Sequence, residues 1–387
     1  MKSRILMQVL LASVSAFAAE EVIAKCDSRK AIEKTVVDAN GVKWIDGKCL
    51  PLEGRAFTDV EHYYDRLPAG VTTNVNAGVR ELKHHTAGMI FRFLSDSKTL
   101  KFRWKLYIPN QGMDNQPSTG VNGIDVYRYD KKSRRWLYVK TGRIFDAAKG
   151  GSLDIEWVPG TPCLVNLPAY NGIRTFELGI DQDATVKPLA PRATGIDKPV
   201  VFYGTSITQG GCSSRPGLGF VNIVGRSLDV PVVNLGFSGS GIMEFEMSEH
   251  LARIDASCYV LDCLANMELC ENPQRPGRSV TGNYEKFIRN LRAKRPSVPI
   301  VMAENSNVYG NVKNGKDLFI RKLYEKLVAE GWQNLVYLPN DEMHTGDYEG
   351  TVDGSHPNDW GMMSMARAFG KAVRKALKLK GPAPLID

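Results

Sequence analysis

Ser206 lies in the run Gly204-Thr205-Ser206-Ile207-Thr208-Gln209-Gly210-Gly211, directly after the apolar segment Val200-Val201-Phe202-Tyr203. A serine hydroxyl is a poor nucleophile until a neighbouring base takes its proton. The base in turn needs a third group, usually a carboxylate, to hold its tautomer. Asp353 and His356 stand three residues apart in Asp353-Gly354-Ser355-His356-Pro357-Asn358, so a carboxylate can reach the imidazole within one turn. The oxyanion that forms on attack needs preorganised donors, and losing one costs about 3–4 kcal/mol in the transition state. The backbone N–H groups of Ser206 and Gly239 and the side-chain amide of Asn266 are the candidates. This set predicts acyl transfer through a covalent intermediate.

Such groups must converge from distant parts of the chain. From Lys198 onward, short β-branched or aliphatic runs (Val200–Tyr203, Val232–Leu235, Tyr259–Leu261, Ile300–Met302, Leu335–Leu338) alternate with helix-like stretches. The latter are Phe220–Leu228, Phe245–Ile254, Tyr284–Lys294, Leu318–Glu330 and Gly361–Leu379. Alternating β and α units imply a parallel sheet covered by helices on both faces. In open parallel sheets reactive groups gather at the carboxyl ends of the strands. Each candidate block follows such a strand: Ser206 the first, Gly239 the second, Asn266 the third, and Asp353 with His356 the fifth.

The preceding region has a different rhythm. Leu100, Phe102, Trp104 and Leu106 alternate with Lys101, Arg103 and Lys105, which places apolar groups on one face of a strand. Met89–Phe93, Gly123–Tyr129, Trp136–Lys140, Leu153–Val158 and Thr175–Ile180 are further strands by the same reading, with no strong helix period among them. Several short strands separated by turn clusters indicate a β-sandwich. The proposed organisation is a signal at residues 1–18, an N-terminal β-sandwich over 19–182, a linker over 183–198 with Pro188 and Pro191, and an α/β domain over 199–387.

The signal rests on Lys2 and Arg4, the apolar run Ile5–Val14 and the small-x-small triplet Ala16-Phe17-Ala18, in that order. It predicts export to the periplasm or beyond. With 387 residues, 43% hydrophobic and 24% charged, the chain falls outside the fibrous and disordered classes. No later stretch approaches the roughly 18 apolar residues that would span a bilayer. Of the net charge of +8, two units sit on Lys2 and Arg4. Six basic residues (Arg367, Lys371, Arg374, Lys375, Lys378, Lys380) share the last helix without interleaved aromatics, which reads as a solvated face and not a nucleic-acid surface. Seven cysteines leave at least one unpaired in a monomer, and no Cys-x-x-Cys occurs. Cys26 and Cys49 either close a loop in an oxidising compartment or remain thiols.

Gly204-Thr205-Ser206, Gly239, Asn266 and Asp353-x-x-His356 resemble, in order, the four blocks of the SGNH (GDSL-type) hydrolases. One departure is Thr205, where that family usually has Asp. The likeness spans roughly Lys198 to Leu379 and implies a flavodoxin-like three-layer α/β fold. The first half resembles the GxDLY-type, jelly-roll-like sandwich that accompanies some of these hydrolases, through Tyr64-Asp65-Arg66-Leu67-Pro68, Gly123-Ile124-Asp125-Val126-Tyr127 and Leu167-Pro168-Ala169-Tyr170-Asn171-Gly172. Together the halves look like a secreted carbohydrate esterase of the Bacteroidetes type. The resemblance implies a serine esterase that removes acyl, most often acetyl, groups from a saccharide or polysaccharide fragment. A lipase, thioesterase or polysaccharide methylesterase would use the same machinery. A carbohydrate-binding protein with an inert hydrolase half is the non-enzymatic alternative.

Other polar residues carry weaker expectations. Arg215 follows the nucleophile loop and is a candidate for substrate contact or for a carboxylate pair. His344 precedes the Asp353 block and is a candidate for lining the pocket. His62, His84, His85 and His250 are expected to be structural or superficial. No metal is expected, because no spacing such as His-Glu-x-x-His occurs. Nor is a cofactor: Gly236–Gly241 follows the second strand and lacks the G-x-G-x-x-G order. Asp125 and Tyr127 are expected to be structural, with substrate contact across the domain interface as the alternative.

Overall fold

The structure, a computed structural model, describes residues 36–109, 112–306, 314–381 and 383. The expected signal at 1–18 and Cys26 lie outside the described residues. Within them no helix is long and apolar enough to cross a membrane.

Strands β1 (Val36–Val37), β2 (Val42–Asp46), β3 (Leu52–Glu53), β4 (Ile90–Ser95), β5 (Thr99–Leu106), β6 (Ile124–Asp130), β7 (Arg135–Gly142), β8 (Gly151–Glu156), β9 (Thr161–Asn166), β10 (Ile173–Asp181) and β11 (Val186–Pro188) build two antiparallel sheets. One runs β1-β2-β10-β5-β8; the other runs β11-β4-β9-β6-β7, with β3 paired to β4. The alternation in β5 does what its period requires: Leu100, Phe102, Trp104 and Leu106 are buried. They pack with Phe91, Phe93, Val165, Phe176 and Leu178 in one core between the sheets. This is the expected sandwich.

Three details depart from expectation. Two short helices interrupt the strands, α1 (Ala77–Leu82) and α2 (Ser118–Val121). Each spans fewer than two turns, too little for a helical period to register in sequence. Asn76 Oδ1 caps the first by accepting from Val79 N at 3.0 Å. Strand β9 is central in its sheet although Pro162 hides it, because the proline sits at the second residue, where β4 pairing is just beginning. Finally, the expected linker contains β11, paired with β4 through Val186, Lys187 and Pro188.

The second half is a parallel sheet of β12 (Val200–Gly204), β13 (Val232–Gly236), β14 (Cys258–Asp262), β15 (Ile300–Ala303) and β16 (Leu335–Leu338), in the order β13-β12-β14-β15-β16. That is the flavodoxin-like order. A short turn, α3 (Ser206–Gln209), follows β12, and α4 (Phe220–Leu228), α5 (Phe245–Arg253), α6 (Val280–Lys294), α7 (Gly315–Ala329) and α8 (Asp359–Leu377) complete the layers. Strand alternation divides β12 between two cores: Val200 and Phe202 pack with α4 and α8, whereas Val201 and Tyr203 pack with α5, α6 and α7. The latter core also takes in Phe57, Leu67, Val71, Val75 and Val79 from the first half. The two halves therefore share apolar burial, which brings side chains of the sandwich close to the strand ends.

Candidate active site

At the end of β12 the backbone turns sharply into α3. A Cβ on Gly204 would lie 1.9 Å from Thr208 Oγ1 and 2.6 Å from Asp262 O, so only glycine fits there. Thr205 is the N-cap: its Oγ1 accepts from Ile207 N at 3.2 Å, while Thr208 Oγ1 accepts from Thr205 N at 3.3 Å. This capping box satisfies the backbone donors of Ile207 and Thr205 at the start of the turn. Thr208 also donates to Asp262 Oδ2 at 2.7 Å. Burial pushes the Asp262 carboxyl up to about 7, only partly offset by that hydroxyl.

Ser206, 7% exposed, stands first on α3. Its Oγ lies 2.9 Å from His356 Nε2, and His356 Nδ1 lies 2.7 Å from Asp353 Oδ2. Because the carboxylate can only accept, Nδ1 carries the ring proton and Nε2 is left to take the serine hydrogen. The three-residue spacing has a local cause: Asp353 Oδ1 accepts from Ser355 N at 3.0 Å and His356 N at 2.8 Å. The carboxylate thus folds the turn that aims its own histidine. Asn115, from the first half, donates Nδ2–H to Asp353 Oδ2 at 2.9 Å. Burial raises the Asp353 pKa, but the bonds from His356 N, Asn115, the His356 ring and Ser355 N outweigh it and hold the carboxyl well below its usual range.

Gly239 and Asn266 stand at the neighbouring strand ends, beyond β13 and β14. Gly239 adopts φ +65°, a left-handed conformation that glycine reaches without strain. Asn266 closes a 3₁₀ turn, Leu264–Asn266. The hydrogen-bond network orients its amide so that Oδ1 accepts from Ser240 N (3.1 Å) and Gly241 N (3.3 Å), leaving Nδ2 as a donor. Two cations brace this corner. Arg278 donates from one nitrogen to Gly239 O at 2.8 Å and Asn266 O at 3.0 Å. Lys316 donates to Leu264 O at 2.7 Å and Met267 O at 2.9 Å.

The sandwich half reaches the same corner from behind. Tyr170 donates to Ser206 O at 2.9 Å. Arg66, 1% exposed, donates to Asn234 O (3.1 Å), Gly236 O (2.6 Å) and Leu82 O (2.7 Å), and its guanidinium lies over the Phe237 ring at 4.6 Å. Gln209 accepts from Ser238 N at 3.0 Å and donates to Ala169 O at 3.1 Å. Its Nε2 also lies 3.0 Å from His85 Nδ1. Burial, then the charges of Arg66 and His84, push the His85 pKa down to about 3, so this ring is neutral and can accept.

Two sequence expectations fare differently. Of the two roles expected for Arg215, the structure shows the carboxylate pair: its guanidinium pairs with the fully buried Asp125 at 2.7 Å, bonds Tyr127 Oη and lies 4.1 Å from the Tyr138 ring centre. Asp125 and Tyr127 therefore act across the junction as structural partners. At His344 the structure gives a backbone contact, its carbonyl accepting from Ser364 Oγ at 2.9 Å on the flank of α8. Sequence reading passed over Asn115, Arg278, Lys316 and Asp262. Tyr170 and Arg66 stood inside quoted segments, yet nothing in the sequence said what they touch. Glu61, His62, Asp65 and His84 place ligand-type atoms within 4.8 Å of one another, tied by His84–Asp65 at 2.8 Å and Lys83–Glu61 at 2.9 Å. Cys212 neighbours Asp353 and His356 in the same sense, and burial, then Asp353, pushes its thiol up to about 12.

Residues 197–374 match the GDSL-like Lipase/Acylhydrolase family, and residues 42–186 match the N-terminus of Esterase_SGNH_hydro-type family, GxDLY. Over these residues the chain carries an SGNH (GDSL-type) hydrolase region behind a GxDLY-type N-terminal region. The hydrolase resembles a candidate GDSL-like lipase from Bacteroides ovatus ATCC 8483, with 29% identity, a TM-score of 0.74, and coverage of 88% of this chain and 100% of that one. The salicylyl-acyltransferase SsfX3 of a tetracycline biosynthetic pathway shares the fold at 18% identity and TM-score 0.68, over 87% of this chain and 98% of that one. So does a family two carbohydrate esterase from Clostridium thermocellum in complex with cellohexaose, at 12% identity and TM-score 0.55, over 76% and 93%. A curated relative, the DNA-directed RNA polymerase subunit beta′ of Stutzerimonas stutzeri (strain A1501), aligns at 24% identity over 276 residues, 67% of this chain. The chain spans only 18% of that protein's length. The family places this hydrolase among ester hydrolases.

Proposed function

We propose that this hydrolase is an exported serine esterase that removes O-acyl groups, chiefly O-acetyl, from carbohydrates. The observation that carries the reading is the relay of Ser206 Oγ to His356 Nε2 at 2.9 Å and His356 Nδ1 to Asp353 Oδ2 at 2.7 Å. Ser206 Oγ attacks the ester carbonyl carbon as His356 takes its proton, and Asp353 stabilises the imidazolium. Ser206 N–H, Gly239 N–H and Asn266 Nδ2–H hold the tetrahedral oxyanion. Collapse expels the sugar alkoxide, which receives the proton from His356, and leaves an acyl-serine. Water, deprotonated by His356, then attacks the acyl-serine, releasing acetate and restoring Ser206. Arg278 positions the Gly239 and Asn266 donors through the carbonyls of those residues, and Lys316 braces the turn that bears Asn266 through Leu264 O and Met267 O.

The cleft beside Ser206 supports a carbohydrate over a long-chain lipid, since Asn305, Ser306, Lys316 and Ser355 contribute to its lining. A fatty acyl chain requires an apolar groove in their place. Export rests on the charged, apolar and small-x-small order of residues 1–18. The test compares release of acetate, methanol and long-chain fatty acid from matched esters, with the Ser206→Ala variant as control. Acetate release is expected to dominate and to fall roughly 10⁴-fold or more in the variant. Predominant long-chain or methyl-ester cleavage would replace the carbohydrate reading with a lipase or methylesterase. Hydrolysis that survives Ser206→Ala would remove Ser206 as nucleophile.

A further inference from the structure

Glu61, His62 and Asp65 lie on the loop between β3 and α1, and His84 follows the end of α1. One ligand-type atom from each of the four, two imidazole nitrogens and two carboxylate oxygens, falls within 4.8 Å of all the others. The two segments are already held together. Arg66 N donates to Lys83 O at 2.8 Å, and Lys83 Nζ pairs with Glu61 Oε2 at 2.9 Å. None of the four groups belongs to the Ser206 relay, and no spacing motif announces them, because α1 separates their two segments.

The cluster centres on Asp65, whose side chain is 2% exposed. Its Oδ2 accepts from His62 N at 2.9 Å. Both histidines turn the same ring nitrogen toward this carboxylate: His84 Nδ1 lies 2.8 Å from Oδ1, and His62 Nδ1 lies 3.5 Å from Oδ2. The first is a hydrogen bond; the second is too long for one of ordinary strength. A tetrahedral zinc ion with bonds of about 2.0–2.1 Å holds neighbouring nitrogen and oxygen ligands about 3.3 Å apart. His62 and Asp65 already stand near that spacing, and His84 has to withdraw by only about 0.5 Å.

The donor set selects the ion. Two neutral imidazoles with two carboxylates suit zinc and its first-row neighbours, whereas magnesium and calcium favour oxygen ligands. Asp65 and Glu61 bring two negative charges against the one positive charge of Lys83, so a divalent cation is welcome among neutral rings. The side chains of His62 and Glu61 are 45% and 52% exposed, which leaves the ion a path from solvent. We propose that Glu61, His62, Asp65 and His84 form a zinc site that clamps the loop before α1 to the end of that helix. On binding, each ring carries its hydrogen on Nε2 and gives Nδ1 to the ion, so the His84–Asp65 hydrogen bond is exchanged for two bonds to zinc. Asp65 precedes Arg66, which holds Asn234 O and Gly236 O, and His84 precedes His85, which lies against Gln209. The clamp therefore stiffens the junction between the halves and takes no part in ester hydrolysis.

The experiment uses the full chain, stripped with EDTA and titrated with zinc chloride, with binding read by calorimetry and stability by thermal melts. One zinc ion per chain is expected to bind, and Tm to rise by a few degrees at saturation. His84→Ala should weaken binding at least about tenfold, but it also takes a hydrogen bond from Asp65. His62→Ala avoids that objection, because the backbone donor to Asp65 is kept. It should weaken zinc binding by a similar factor and leave the zinc-free Tm nearly unchanged. Cobalt in place of zinc should show visible bands without sulfur-to-metal charge transfer, and Cys212→Ser should bind zinc as the parent does. No saturable binding in the parent, or binding that survives both histidine substitutions, would overturn the site. Binding lost in Cys212→Ser would put the ion on Cys212, Asp353 and His356 and overturn it as well. Zinc that binds through His62 yet leaves Tm unchanged would overturn the clamp.

Discussion

In the α/β half the candidate reactive groups stand at the carboxyl ends of parallel strands and gain much of their geometry locally. Asp353 accepts from the backbone of its own turn, and Thr205 caps the turn that bears Ser206. Among the described residues the sandwich half brings no candidate nucleophile or base to the site, and sends Arg66, Asn115, Tyr170 and Asp125 across the junction instead. One half supplies the candidate reactive atoms; the other holds backbone and carboxylate in place. The difference teaches that the sandwich is part of the active-site scaffold, whatever else it binds. Parallel strands present their carboxyl ends together, but loops beyond those ends need partners for their carbonyls. Here a second domain supplies several of them.

The comparison can be broken most forcefully at Arg66. Arg66→Met keeps the bulk and removes the donors to Asn234 O, Gly236 O and Leu82 O. Hydrogen bonds from a charged donor are worth about 1.5–3 kcal/mol each, so a loss of roughly 3 kcal/mol or more of stability is expected. Urea unfolding should show a lower midpoint with the slope unchanged. A shift under about 0.5 kcal/mol would mean that the α/β half holds its β13 corner alone.

Asp262 offers the converse test, inside the α/β half. Its folded pKa, about 7, lies above the unfolded value of 3.8, so the native state retains a proton that unfolding releases. Stability from this group is fully present below pH 3.8 and is lost as pH rises through about 7. Asp262→Asn keeps an acceptor for Thr208 and removes the titration. The variant should be more stable than the parent at pH 8, by up to a few kcal/mol, with a flatter profile between pH 4 and 7. Thermal melts across that range check it; parallel profiles for the two proteins would contradict the burial argument.

The smallest expected effect lies at Asn115, the half-buried residue of the first half that touches Asp353. Asn115→Ala removes one of the bonds that hold this carboxylate in its ionised form. We expect kcat/KM to fall about fivefold, near 1 kcal/mol, with little change in Tm. Unchanged kcat/KM would reduce this contact to surface packing and confine the sandwich's contribution to the buried side of the site.

Much of the fold was legible because periodicity reports burial directly. The alternation of Leu100, Phe102, Trp104 and Leu106 marked a half-buried strand, and Phe220–Leu228 marked its helix to the residue. Helices shorter than two turns were invisible, as α1 and α2 show, and Pro162 disguised a central strand. At the site, the residue types and order of Ser206, Gly239, Asn266, Asp353 and His356 were readable. Arg215 illustrates the opposite limit. Its position after the nucleophile loop suggested substrate contact or a carboxylate pair alike, and the carboxylate it pairs with, Asp125, is buried and lies 90 residues away.

The sequence by itself determined the parallel sheet, through runs of β-branched residues between amphipathic helices, and the Asp353–His356 pair, whose contact is made within one turn. It also determined the tight bend at Gly204, which admits no side chain. Only the tertiary structure decided which side chains brace that bend, because those contacts join residues from 36 apart, as in Tyr170 to Ser206, to 238 apart, as in Asn115 to Asp353. The physical reason is that buried carbonyls and carboxylates must find donors, and which donor arrives depends on how two separately patterned halves close over a shared apolar core.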